Sequence, residues 1–332
     1  MSEYKLYFGD SHTNLHSPRM REPGYLETVV RQARELLDFW PIAYYPQEYT
    51  ELRGFRYEDA LDEETAQRDW QVIRELAAAN NEPGKFVAFS GYEWQGNGRW
   101  GDHNVFFLDD EGPLLRPDTV GELFTALRAL GRPALAIPHH VAYMIGVRGK
   151  NWDVHDEDLS PFAEIYSVHG CSESDEEFIG LRTNAHMGPG LSGGTIEDAL
   201  ARGYRLGIIA SGDNHIWPAM YGNGLMGCWA KGLTREALWD AFMERRVYGV
   251  SADRMELEFT VEDAPMGAVV VHRGAVGVTV RVRGSDALDR IEVLRNERVI
   301  ACYCHQGQWE MPGEDERVRW KLRIEAGWGP RD

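Results

Sequence analysis

The sequence predicts an α/β fold: a barrel-like domain over residues 1–250 in which strands and helices alternate, followed by a small antiparallel β domain over 251–332. Three observations predict it. Apolar runs of strand length alternate with amphipathic stretches through the first domain, the pattern of a parallel sheet with crossover helices. Each of several apolar runs ends in a polar, metal-competent side chain, as in barrels that carry their chemistry at the C-terminal ends of the strands. Beyond Ser251 the helical period disappears, and short runs alternate apolar with polar or β-branched residues.

The chain opens on Leu6, Tyr7 and Phe8, which give way at Gly9-Asp10 to polar residues, as where a buried strand runs out of core. If the extended conformation persists, alternation puts His12, Asn14 and His16 on one face. Leu26, Val29, Val30, Ala33, Leu36 and Leu37 recur at helical spacing over 24–38. Residues 41–45 are the second strand, 62–80 a second helix, and Pro83-Gly84 punctuates before a strand over 85–90. A strand over 103–108 precedes a helix over 119–130, started by a capping box of Thr119 and Glu122 and stopped by Gly131 and Pro133. Strands over 133–138, 163–168 and 205–211 and a helix over 234–245 complete the first domain. The polar segment 142–161 is a loop over the mouth. In the β domain the strands are 255–261, 268–272, 276–282, 290–294, 299–304 and 317–324.

With 332 residues, 43% of them hydrophobic, the chain can bury one large core or a large core plus a smaller one. A formal net charge of -18 opposes the basic footprint of nucleic-acid binding or of attachment to an anionic membrane. No apolar stretch approaches the roughly 20 residues that span a bilayer, and the N-terminus lacks a basic region followed by an apolar run. The expected location is the cytoplasm. Cys171, Cys228, Cys302 and Cys304 form no Cys-x-x-Cys pair, so reduced thiols are expected. Cys302 and Cys304 point the same way on a strand with His305 beside them, short of the four ligands of a structural zinc site.

The candidate site lies at the strand ends. Glu93 sits in Gly-Tyr-Glu-Trp after an apolar run, and a buried carboxylate among aromatic rings is costly unless it meets a cation. His139 and His140 are neighbours, so strand alternation lets one of them face the mouth, and His139 is the choice. His169 ends another run, and Asp213 and His215 lie two apart, hence on one face. His103 either borders a substrate cavity or is an ordinary strand-start histidine. Arg148 and Lys150 either hold an anionic group of the substrate or remain solvated loop charges. His155, His186, His272 and His305 are assigned to solvent or packing.

Read together, Phe8-Gly9-Asp10-Ser11-His12, Gly91-Tyr92-Glu93-Trp94, Ile137-Pro138-His139, Glu164-Ile165-Tyr166-Ser167-Val168-His169-Gly170 and Ala210-Ser211-Gly212-Asp213-Asn214-His215 resemble the PHP (polymerase and histidinol phosphatase) superfamily. The later stretches 233–237, 245–249 and 264–267 resemble a PHP-like subfamily with a C-terminal β domain. The resemblance implies a distorted (β/α)7 TIM-like barrel and one to three divalent ions (Mn, Zn or Fe). His12 matches the first His of the family's His-x-His, Glu93 the bridging carboxylate, His139 and His169 the imidazoles of a second site, and Asp213 with His215 the closing Asp-x-His. Two positions depart from the pattern. Asn14 replaces the second His, and Tyr44-Tyr45 stands where Asp-His is usual; His16 is then available to stand in as a ligand.

The implied function is a metal-dependent hydrolase acting on a small, anionic molecule. A metal-activated water attacks, with His215, His16 or Tyr45 protonating the leaving group and Asp213 among the catalytic groups. Phosphoester hydrolysis comes first. Amidohydrolase-type cleavage of a C-N or C-O bond is the second reading, and a metal-binding scaffold without catalysis the third. The sequence does not reveal the oligomeric state.

Overall fold

A computed structural model describes residues 3–52, 55–174, 180–181, 187–188, 190–191, 193–251, 253–284 and 287–305, with backbone alone for 49–52 and 55–58. His186 and the expected strand over 317–324 lie outside the described residues. The chain divides into two compact units, Met1–Ser285 and Asp286–Asp332. The expected boundary between 250 and 251 falls inside the first.

The first unit is mixed α/β. One five-stranded sheet runs in the order Val247–Val250, Leu225–Ala230, Lys5–Gly9, Phe39–Pro41, Val87–Phe89. A second runs Ala134–Pro138, His103–Phe107, Gly91–Trp94, Ala43–Tyr45, Asn14–His16. Two three-stranded sheets follow, Gly170–Cys171 with Phe162–Ser167 and Gly207–Ala210, and Ala264–Pro265 with Glu256–Val261 and Val278–Arg283. The strands stay in separate sheets, and no closed barrel forms among the described residues.

Two right-sized crossovers build the parallel part of the first sheet. Lys5–Gly9 connects through the helix Tyr25–Leu36 to Phe39–Pro41, which connects through the helix Glu63–Asn80 to Val87–Phe89; both strand pairs are parallel. The expectation of parallel strands throughout is corrected at His103–Phe107, which pairs antiparallel with both Gly91–Trp94 and Ala134–Pro138. The loop 95–102 that joins it to the preceding strand is too short for a crossover, which needs about a dozen residues. The sequence reading also omits Leu225–Ala230, which pairs antiparallel with Lys5–Gly9 and with Val247–Val250.

Helix ends follow the local chemistry. Thr119 accepts from the Glu122 N–H at 3.3 Å and the Glu122 carboxylate accepts from the Thr119 N–H at 3.1 Å, the reciprocal box read from the sequence. A shorter helix, Ile196–Ala201, carries the same device with Thr195 and Asp198. Helix Arg235–Met243 buries Phe242, whose ring meets Phe39, Phe89, Phe106 and Phe162 at centroid distances of 5.7 to 6.1 Å. Aromatic clusters of this kind fix the spacing between sheet and helix. Among the described residues no helix is long and apolar enough to cross a membrane.

In the second unit, Arg290–Arg295 and Arg298–Cys304 form an antiparallel hairpin. Its turn residues Asn296 and Glu297 both have positive φ, 49° and 64°, as a two-residue turn matched to strand twist requires. Cys302 and Cys304 are exposed, with their Sγ atoms 3.3 Å apart.

Candidate metal centre

The site begins where the first strand ends. Asp10 is fully buried and accepts from the N–H groups of His12 (3.1 Å), Gly212 (2.8 Å) and Ala219 (3.0 Å) and from the Thr13 hydroxyl (2.9 Å). One carboxylate thus ties the loop after residue 9 to the loop after residue 211. A glycine is needed at 212, because a Cβ there would come 2.7 Å from Asp10 Oδ2 and 3.0 Å from the His12 carbonyl.

His12 lies at the middle of the group. Its Nε2 is 3.3 Å from Glu93 Oε2 and 3.4 Å from Asp213 Oδ1, while its Nδ1 is 3.4 Å from Glu164 Oε2. His139 Nε2 lies 3.6 Å from Glu93 Oε1, and His169 Nε2 lies 3.4 Å from Asp213 Oδ2. Three overlapping sets bring their ligand atoms within 4.8 Å of one another: His12, Glu93 and His139; His12, Glu164 and Asp213; Asp102, His139 and His140.

Buried donor atoms in this group lack protein partners. Both ring nitrogens of His139, Asp213 Oδ2 and Asn14 Oδ1 have no hydrogen-bond partner among the described residues. Leaving such a group unsatisfied costs about 1–3 kcal/mol each, more if charged. Burial pulls the His139 imidazole below its ordinary pKa and brings His169 to about 4, so both are in the unprotonated form that binds metals. Burial would raise Glu93, but the adjoining His12 and His139 imidazoles hold it well below the usual carboxylate range. Burial pushes Asp213 up to about 7, with His12 opposing. Burial also opposes a proton on His12, yet Asp213, Glu164 and Glu93 together hold that imidazole well above its ordinary value. A neutral imidazole pair, two or three carboxylates and unpartnered lone pairs fit a divalent cation.

The remaining candidates divide by position. Asn14 donates its amide to Glu93 Oε2 at 2.9 Å. Gln95 donates to both Glu93 Oε1 and the Tyr45 hydroxyl, each at 2.8 Å. Tyr45, His16 and His215 form a second cluster, with His16 Nε2 2.6 Å from His215 Nδ1 and the Tyr45 ring 4.6 and 5.2 Å from the two imidazoles. Tyr44 lies in the hydrophobic core. Arg148 Nε bonds Asp102 Oδ2 at 2.5 Å and its guanidinium comes 3.7 Å from Glu93 Oε1. Lys150 is fully buried, its ammonium donating to the Val154 carbonyl at 2.7 Å and facing His103 Nε2 at 3.3 Å. His103 is buried edge-on against Trp94 and Phe124. His155 is packed between Trp152 and Tyr204.

Strand alternation does not extend to two of these placements. The strand ends at Pro138, and His140 has φ 34°, so the His139 and His140 rings lie together at 4.4 Å instead of on opposite faces. Asp213 likewise has φ 45° beyond the end of Gly207–Ala210, so the period of two does not carry through to His215. With Arg148 at φ 68°, three non-glycine residues of the site occupy a region that costs about 1–3 kcal/mol each. Asp102 is absent from the sequence reading, which passes over His140 in favour of His139 and quotes Glu164 in a motif without giving it a role in the site. Glu164 lies within an apolar run, Phe162–Ser167, where its carboxylate was the available signal.

A model of the family described as "Protein of unknown function (DUF3604)" matches residues 31–160 and 169–264. An uncharacterized protein of Chlamydia trachomatis serovar D is 24% identical over 327 residues, 88% of this chain and 48% of its own length. One from Chlamydia pneumoniae is 22% identical over 252 residues, 70% of this chain and 40% of its own. The chain therefore spans about half the length, or less, of these relatives. Among solved structures, a two-domain protein from Bacteroides vulgatus "containing predicted PHP-like metal-dependent phosphoesterase" has 14% identity and a TM-score of 0.48, covering 92% of this chain and 96% of that one.

Proposed function

We propose a divalent-metal hydrolase, starting from family: the chain belongs to DUF3604, a family of unknown function whose description assigns no activity. The observation that carries the proposal is the convergence of His12, Glu93, His139 and Asp213 in a buried space where His139 nitrogens and an Asp213 oxygen have no hydrogen-bond partner among the described residues. These four residues, with His169 and Asn14, would hold one to three ions of manganese, zinc or iron. Such an ion supplies a water ionised near neutral pH and polarises the attacked oxygen.

The chain's own groups do the rest. His16 and His215 share one hydrogen bond and hold a proton for the leaving group, while Tyr45 encloses them. Arg148, aimed by Asp102 toward Glu93, faces an anionic group of the substrate. Phosphoester hydrolysis is the first substrate class, supported by this cation beside the carboxylates and by the motif resemblance to PHP proteins. A distorted barrel, a β domain from residue 251 and a cytoplasmic setting belong to the same proposal, and the net charge of -18 supports a small-molecule substrate over nucleic acid or membrane.

The test is manganese binding and hydrolysis of a chromogenic phosphoester by the wild type and by Asp213→Asn. Turnover that needs the metal and vanishes in the variant is expected. A protein that takes up no divalent metal overturns the reading.

A further inference from the structure

We propose that Glu164 is a positioning residue for the metal centre: its carboxylate accepts a hydrogen bond from Nδ1–H of His12 and so aims Nε2 of that ring at the space between Glu93 and Asp213. The inference rests on the metal-centre reading above and adds a residue that reading leaves without a role.

An imidazole ring carries its two nitrogens on different edges. A histidine bound to one cation uses one of them, and the partner of the other nitrogen sets the tautomer and the ring's rotation. In His12 the assignment follows from the distances. Nε2 faces Glu93 Oε2 at 3.3 Å and Asp213 Oδ1 at 3.4 Å, and Nδ1 faces Glu164 Oε2 at 3.4 Å. The three carboxylates therefore divide into two on the edge where the unpartnered Asp213 and His139 atoms gather and one on the opposite edge.

Glu164 is itself anchored. The Ser211 hydroxyl donates to Oε2, and the His140 N–H donates to Oε1 at 3.3 Å. Both donors come from loops that carry site residues, His139 in one case and Asp213 in the other. The carboxylate is 2% exposed, so it does not reorient into solvent. It is fixed by its strand, Phe162–Ser167, which pairs with Gly207–Ala210 and so shares a frame with the loop bearing Asp213. A carboxylate so held gives Nδ1 a strong acceptor and raises the basicity of Nε2.

The experiment uses zinc, which is diamagnetic, and full-length protein with ¹⁵N-labelled histidine; His12 signals are identified by their loss in His12→Asn. In the wild type, zinc shifts Nε2 of His12, and Nδ1 keeps a slowly exchanging proton. Glu164→Gln keeps the side-chain shape and removes the charge. It is expected to lower zinc affinity about 10- to 100-fold, the usual cost of losing such a partner, and to move the Nδ1 proton resonance. Should that variant not fold, Ser211→Ala, which releases one anchor of Glu164, is expected to move the same resonance in the same direction. Zinc on Nδ1, or wild-type affinity with an unmoved Nδ1 proton in the variant, overturns the inference while leaving the metal centre standing. A wild type that takes up no zinc overturns both.

Discussion

Nε2 of His16 lies 2.6 Å from Nδ1 of His215, so that residues 199 apart in sequence share one hydrogen bond. Arg19 holds the second partner in place by donating to the His215 carbonyl at 2.9 Å. In its proposed role of proton donor, His215 would account for a share of turnover that general acid-base groups typically supply, about 10²- to 10⁴-fold. His215→Asn is therefore expected to lower kcat by that range while metal content, measured by mass spectrometry, stays at the wild-type value. Loss of bound metal instead would make His215 a ligand.

Metal binding as proposed would have a defined effect on stability. A ligand that binds only the folded state stabilises it by about 2.7 kcal/mol at 100 times its Kd. Adding manganese at that excess to chelator-treated protein is expected to raise the unfolding temperature by several degrees in scanning calorimetry, and Glu93→Gln to abolish most of the rise. An equal rise in the variant would remove Glu93 from the centre.

Arg148 reaches toward Glu93 while bound to Asp102. A hydrogen bond to a charged group contributes about 1.5–3 kcal/mol. Arg148→Met is expected to raise KM for a phosphoester roughly 10- to 100-fold, with a much smaller effect on a neutral ester. Equal changes for both substrates would assign Arg148 to structure alone.

Burial pulls the Lys150 ammonium down to about 7, against an ordinary value near ~10.4. The folded protein thus binds fewer protons than the unfolded chain between these values, and this residue makes stability rise with pH through that window. Below about pH 7 both states carry the proton and the contribution is flat. The slope approaches about 1.4 kcal/mol per pH unit at most. Urea unfolding from pH 6.5 to 9.5 is expected to show the slope in the wild type and its loss in Lys150→Met. Parallel curves for the two proteins would contradict it.

Local signals are legible in the sequence where a short span decides the outcome. Thr119 and Glu122 start their helix as read, because both halves of that cap lie within four residues. Glu93, His139, His169 and Asp213 do gather, since each follows an apolar strand that ends near the others. What is lost is orientation beyond a strand end. His140 and Asp213 take positive φ there, so the period of two no longer says which way a side chain points. The role of Glu164 is hidden for the opposite reason: it sits inside a strand, where a single acid in an apolar run gives no hint of its partner at residue 12.

That His12 meets Asp213 has a consequence for how the protein is made. The pair joins positions 201 apart in the chain, so it forms only once synthesis has passed residue 213, and any fragment ending before that residue lacks it.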